Sequence, residues 1–144
     1  MFLLDTNVVS ELRRADKSNP NVFGWARAQP HAQFFISAIT ILEIEIGALQ
    51  RARSDEAQGQ VLRRWLNEAV LVEFDGRILP MDVTTALRCA SLHVPDRKPE
   101  RDALIAATAI VHSLTLVTRN TRDFEATGVQ LFNPWLPQEG RPPT

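Results

Sequence analysis

Cysteine is almost absent: Cys89 is the single one among 144 residues, which excludes an intramolecular disulfide and a thiolate zinc cluster. A reducing, cytoplasmic setting is the simplest expectation from that usage. No basic segment followed by an apolar one opens the chain, and no apolar run approaches the ~20 residues a membrane span needs, so neither secretion nor membrane insertion is expected. An excess of charge is missing too. Sixteen Lys and Arg stand against seventeen Asp and Glu, a net charge of -1, without the basic footprint of many nucleic-acid binders. Carboxylates gathered at one site would mask Arg residues placed elsewhere. His31, His93 and His112 lack the close pairing of a zinc site, no glycine-rich phosphate loop is present, and the Gly-x-Ser-x-Gly elbow of α/β hydrolases is missing.

What remains is ordinary in bulk: 44% hydrophobic and 23% charged residues, the mix of a soluble globular domain of this length. The first ten residues organise the rest. Phe2, Leu3 and Leu4 make a short apolar run suited to a buried parallel strand, and Asp5 closes it. Thr6 and Asn7 offer N-cap chemistry, and Val8, Val9 and Leu12 begin a helical spacing that runs on to Arg13 and Arg14. Asp5 would then sit at the carboxyl end of a strand, the edge where open α/β sheets bind ligands. The plain alternative is that Asp5 only caps the helix.

Further along, Ser18 to Pro20 reads as a cap opening a short helix through Phe23, Trp25 and Ala26. Phe34 to Ile36, ending at Ser37, reads as a second strand. From Ala38 to about Arg53, Ile39, Leu42, Ile46 and Leu49 repeat at helical spacing, widened by Ile41, Ile44 and Ala48, which predicts a deeply placed helix. A second long helix is expected over about Ser54 to Val72, broken at Phe74 to Gly76, with Ile78 and Leu79 briefly extended. Helices follow at Val83 to His93 and, after the charged loop Pro95 to Pro99, at Glu100 to Ser113; strands are expected at Leu114 to Thr118 and Val129 to Phe132. Strands separated by helices predict an α/β fold with a mostly parallel sheet. Residues 1–133 form the expected single domain, and the proline-rich stretch 134–144 is expected to fray.

Three further acids stand where they could join Asp5. Glu43 interrupts an otherwise apolar helix, where an unpaired carboxylate is costly; the alternative is a capping box from Thr40. Gly47, one turn on, would leave room beside it, whereas Glu45 lies about 200° around the helix and faces elsewhere. Asp102 lies in the first turn of the alanine-rich helix, where the dipole also favours a negative charge. Asp123 follows the strand ending at Thr118, within a run that includes Asn120, and would otherwise be a turn residue. Four acids with Asn120 at strand ends and facing helix positions repel one another unless a hard cation binds, which points to metal-assisted phosphoryl chemistry.

The stretches Phe2 to Leu12, Ser37 to Gly47, Asp102 to Ala109 and Leu116 to Phe124 occur in the order of the PIN-domain ribonucleases. The sequence resembles that family, and within it the toxins of VapBC and FitAB toxin–antitoxin pairs. The resemblance implies a three-layer α/β/α fold, a Mg²⁺ or Mn²⁺ site, and cleavage of RNA, commonly tRNA or rRNA. By position it implies Asp5, Glu43, Asp102 and Asp123 as the catalytic acids, Asp5 and Asp102 as metal ligands, and Asn7, Thr118 and Asn120 as secondary contributors. Arg13, Arg14, Arg119 and Arg122 are candidate phosphate contacts. A homodimer and a small antitoxin protein are the implied partners. Two readings stand beside it: a phosphatase-like enzyme using Asp5 as nucleophile, and a catalytically silent binding module of PIN-like shape.

Overall fold

The structure, a computed structural model, describes residues 1–138. Five short strands, β1 (Phe2–Leu4), β2 (Phe34–Ser37), β3 (Ile78–Leu79), β4 (Thr115–Val117) and β5 (Leu131–Phe132), pair in parallel in the order β3-β2-β1-β4-β5. Among the described residues, seven α-helices connect them: α1 (Thr6–Glu11), α2 (Pro20–Arg27), α3 (Ala38–Ser54), α4 (Glu56–Trp65), α5 (Leu71–Glu73), α6 (Val83–Leu92) and α7 (Glu100–Val111).

Both faces of the sheet are covered, because strand side chains alternate and each strand is apolar at successive positions. Leu4, Phe34, Ile36 and Val117 join Val8, Val9, Trp25, Leu66 and Val70 on one side. Leu3 and Leu116 join Ile105, Ala106, Ala109 and Phe124 on the other. The alanines of α7 divide the same way: Ala106 and Ala109 meet the sheet-side cluster, while Ala103 and Ala107 pack against Cys89 of α6. Small side chains let α7 approach both partners closely. The result is the three-layer α/β/α sandwich expected.

Three expectations change. The long helix after Ser54 begins only after Asp55, whose extended backbone reverses the chain and whose side chain accepts from the Gln58 amide at 3.1 Å. A π-helical turn at Leu66–Val70 then joins α4 to α5. Second, α3 does not lie deep: Ile39, Thr40, Ile44 and Ala48 are buried, but Leu42 and Leu49 are 47% and 50% exposed. The stripe of Ile39, Leu42, Ile46 and Leu49 is thus not the buried one: Ile44 and Ala48, read as only widening it, lie on the core side, and no element within the described residues covers Leu42 and Leu49. Third, the first residues of the proline-rich tail return to the body. Pro134 is buried, and Asn21 Nδ2 donates to the Trp135 carbonyl at 2.8 Å. Residues 139–144 lie outside the described residues. None of the described helices is long and apolar enough to cross a membrane.

Candidate active site

From β1 the sheet grows through β2 and β3 on one side and through β4 and β5 on the other, so the β1–β4 boundary is where strand order reverses. Leu4 pairs with Val117, and the Asp5 amide donates to the Val117 carbonyl at 2.9 Å. The next residues, Asp5 and Thr118, therefore emerge side by side. Asp5 is the N-cap of α1: its Oδ1 accepts from the Thr6 amide at 2.8 Å. Capping occupies only that oxygen. Oδ2 accepts from Thr118 Oγ1 at 2.8 Å, and Asn7 Nδ2 stands 3.4 Å away. Because Asp5 itself caps, Thr6 and Asn7 are released from the capping role assigned to them and turn their side chains to the site.

Asp5 is 7% exposed. Burial pushes its pKa above the ordinary 3.8; the bonds from Thr118 and Thr6 pull it back, and the charges of Glu43 and Asp102 raise it again.

Ser37 caps α3 by accepting from the Ile39 amide at 3.0 Å. Thr40 is thus already helical, so the Thr40–Glu43 capping box does not form. Glu43 Oε1 instead accepts from Thr6 Oγ1 at 2.8 Å, and Thr6 Oγ1 lies 3.0 Å from the hydroxyl of fully buried Thr40. Glu43 Oε2 is 3.7 Å from Arg101 Nη1. Glu45 faces away and pairs with Arg63 Nε at 3.1 Å. Gly47 borders open space, where an added Cβ would meet nothing within 4 Å, so the room beside Glu43 does not depend on it.

Asp102 occupies the first turn of α7. Burial raises its pKa, the nearby charges of Asp123 and Glu43 raise it further, and Arg101 lowers it. Asp123 stands exposed in a 3₁₀ helix, Thr121–Thr127. Asn120 enters through its backbone, donating to Thr118 Oγ1 at 3.1 Å. Asn7 Oδ1 accepts from the Arg119 amide at 3.3 Å and ties this segment to α1. Four carboxylates from four separate parts of the chain thus converge on one sheet edge.

Two proposed phosphate contacts do not. Arg13 and Arg14 lie past the far end of α1, eight residues or more from Asp5 and so about 12 Å along a helical path. Arg13 lies 5.9 Å over the Trp65 ring, lining an apolar cavity of about 280 Å³ with Leu4, Val9, Phe34 and Phe74. Nearness in sequence is undone by the direction of α1. Arg119 and Arg122 are exposed on the segment that carries Asp123, with the Arg119 guanidinium 5.4 Å over Trp135. Thr6, Thr40 and Arg101 are the participants that sequence reasoning missed as such. Thr6 and Arg101 adjoin Asp5 and Asp102 in sequence, which is the only signal they give.

Chemically, the donors are all oxygen, which suits a hard cation. Among the described residues, no three His, Cys, Asp or Glu stand close enough to wrap an ion directly. An array this open fits an ion that keeps part of its water shell. Beyond the effect of burial, Glu43 and Asp102 push the Asp5 pKa up, and Asp123 and Glu43 push that of Asp102 up; this repulsion is what a bound cation would relieve.

The PIN domain family model matches residues 2–129. The VapC ribonuclease Y4jK of Sinorhizobium fredii is 34% identical over 95% of this chain and 99% of its own. Toxin FitB of Neisseria gonorrhoeae is 37% identical over 94% of this chain and 99% of its own. In the FitAcB crystal structure from Neisseria gonorrhoeae, one chain superposes with a TM-score of 0.84 at 37% identity, covering 94% of this chain and 99% of that one. With the acids at the positions described, the chain belongs to the PIN-domain family, among the toxins of the VapC and FitB type.

Proposed function

We propose that the protein is a metal-dependent endoribonuclease, the toxin of a toxin–antitoxin pair. The observation that supports this most is the convergence of Asp5, Glu43, Asp102 and Asp123, with Asp5 and Asp102 each feeling the others' charge. The names of the aligned relatives, a VapC ribonuclease and the toxin FitB, point the same way. Asp5 and Asp102 would hold Mg²⁺ or Mn²⁺, directly or through water, with Glu43 and Asp123 flanking. A divalent cation there supplies neutralisation of the scissile phosphodiester and acidifies nearby water.

The chain's own residues prepare the ground. Thr118 and the Thr6 amide fix both oxygens of Asp5, so no side-chain motion is needed when substrate arrives. The Thr6 hydroxyl fixes one oxygen of Glu43. Arg119 and Arg122 flank Asp123 and would meet phosphates of tRNA or rRNA, which position the chain without reading sequence. We extend the proposal to a small antitoxin that masks the cleft, to pairing of two copies, and to action in the cytoplasm.

Incubating the purified protein with total RNA, with Mg²⁺ or EDTA, tests the proposal. Discrete fragments that vanish in EDTA and in a folded Asp5→Asn variant are expected. Intact RNA would overturn it, and hydrolysis of a small phosphate ester alongside would favour a phosphatase.

A further inference from the structure

We propose that Arg101 is a built-in counter-ion of the acidic cleft, displaced from Glu43 by a divalent cation and then available to bind a phosphate of the substrate. The second half rests on the ribonuclease reading; the first does not.

Glu43 has two oxygens, and they are not equivalent. Oε1 is held by Thr6 Oγ1 at 2.8 Å, and Thr6 is backed at 3.0 Å by the hydroxyl of Thr40, which is fully buried. Glu43 is therefore not free to swing toward a new partner. Oε2 is the oxygen left open, and Arg101 Nη1 stands 3.7 Å from it. A cation at Oε2 would stand next to the guanidinium's own positive charge, so each weakens the other's hold on Glu43. Arg101 also adjoins Asp102 in the first turn of α7, so one positive group stands beside two of the four acids.

The pair is built to open. A charge-assisted hydrogen bond runs near 2.7–2.9 Å, and 3.7 Å is well beyond that. The Arg101 side chain is 52% exposed, so water screens the attraction. Other arginines are held elsewhere: Arg63 on Glu45, Arg13 over Trp65, Arg119 over Trp135, and Arg77 on the carbonyls of His31, Phe34 and Glu73. Among the described residues, Arg101 is a guanidinium within 4 Å of one of the four acids. Once released, its planar fork matches the geometry of a phosphate.

The consequences have opposite signs, which separates them from a structural role. In Arg101→Gln, Mn²⁺ should bind more tightly than in wild type, by roughly two- to fivefold, because a weak competitor is gone. The KM for a short single-stranded RNA should rise, and the slope of log KM against log salt should flatten by about 0.7, the loss of one phosphate contact. Arg101→Lys should keep much of the competition with Mn²⁺ but restore RNA binding only in part.

The experiment is calorimetric titration of Mn²⁺ into metal-free wild type, Arg101→Gln and Arg101→Lys, each checked for folding by circular dichroism. It is paired with KM measured across a salt series. Mn²⁺ binding that is unchanged or weaker in Arg101→Gln, or a wild type that takes up no Mn²⁺, would overturn the counter-ion assignment. An unchanged salt slope would overturn the phosphate assignment. Should the wild type fail to cleave RNA at all, the ribonuclease reading and the phosphate half fall together, while the Mn²⁺ comparison still decides the first half.

Discussion

Thr118 Oγ1 donates to Asp5 Oδ2 at 2.8 Å, joining the carboxyl ends of adjacent parallel strands. Burial drives the Asp5 pKa up, and this bond is the strongest influence opposing it. Thr118→Val keeps the side-chain shape, removes the bond, takes the acceptor from the Asn120 amide, and leaves Asn7 Nδ2 with Asp5 Oδ2 alone. A hydrogen bond to a charged group contributes about 1.5–3 kcal/mol, so without it the Asp5 pKa should be pushed further up. The acidic limb of the cleavage profile should shift upward accordingly, and Thr118→Ser should restore it. A fall in kcat with the pH profile unmoved would mean that Thr118 contributes shape alone.

Glu43 and Glu45 are two residues apart on α3 and face different surroundings: Thr6 and Arg101 for the first, Arg63 for the second. Glu43→Gln should reduce cleavage at least a hundredfold, on the order of 3 kcal/mol in the barrier. Glu45→Gln should leave cleavage within about twofold and stability within about 0.5 kcal/mol, since it loses one half-exposed ion pair. Parallel rate measurements on the two folded variants make the comparison, and equal losses would count against the assigned site.

Gly59 sets the closeness of α3 and α4. A Cβ there would lie 2.5 Å from the Ala52 Cβ and 2.7 Å from its Cα, which no side-chain rotation relieves. Gly59→Ala should destabilise the protein by about 1–3 kcal/mol, the usual cost of overpacking. Denaturant melts give the number. Ala52→Gly added to Gly59→Ala should recover only part, because the Ala52 backbone also stands in the way.

Glu43 and Asp5 were legible in the sequence because each broke a local pattern, whereas Asp102 and Asp123 stood where a helix start and a turn ordinarily carry an acid. Glu43 stood among Ile39, Ile41, Ile44 and Ile46, and Asp5 ended an apolar run, so a charge appeared where burial was expected. The parallel sheet was legible from short apolar strands spaced by helices. What could not be read was anything fixed by the approach of distant elements. Arg101 reads as a surface cation beside Asp102 until α3 and α7 are brought together. Arg13 and Arg14 are near Asp5 in the chain and at the far end of α1 in space. The outer face of α3 shows the limit most plainly: Leu42 and Leu49 carry the helical period of a buried stripe, but period alone does not say whether this chain covers it.

The last test separates one shared metal site from four unrelated acids by pH. Asp5 and Asp102 both hold their protons more tightly than an ordinary aspartate at 3.8, through burial first and then, among other causes, through the charges of neighbouring acids. Between 3.8 and those raised values the native state binds more protons than the unfolded chain. In EDTA, then, the stability these two groups contribute is fully present below 3.8 and is lost as pH rises through the raised values. Mg²⁺ competes with the same protons, so its stabilising effect should be full above the raised values and should shrink as pH falls. Asp82, the cap of α6, moves the other way: its pKa is lowered by bonds from Thr85, so its loss falls below 3.8 and outside this window. At neutral pH, free Mg²⁺ at ~100 times its dissociation constant should add about 2.7 kcal/mol and raise Tm by roughly 5–10 °C. Melts in EDTA and in Mg²⁺ at matched ionic strength, from neutral pH down toward 3.8, should show the gap closing. Asp102→Asn should reduce both the gap and its dependence on pH, since one of the two competing protons is gone. A gap that is equal in the two proteins and flat with pH would mean that Mg²⁺ acts as salt, and that the acids at this sheet edge do not share an ion.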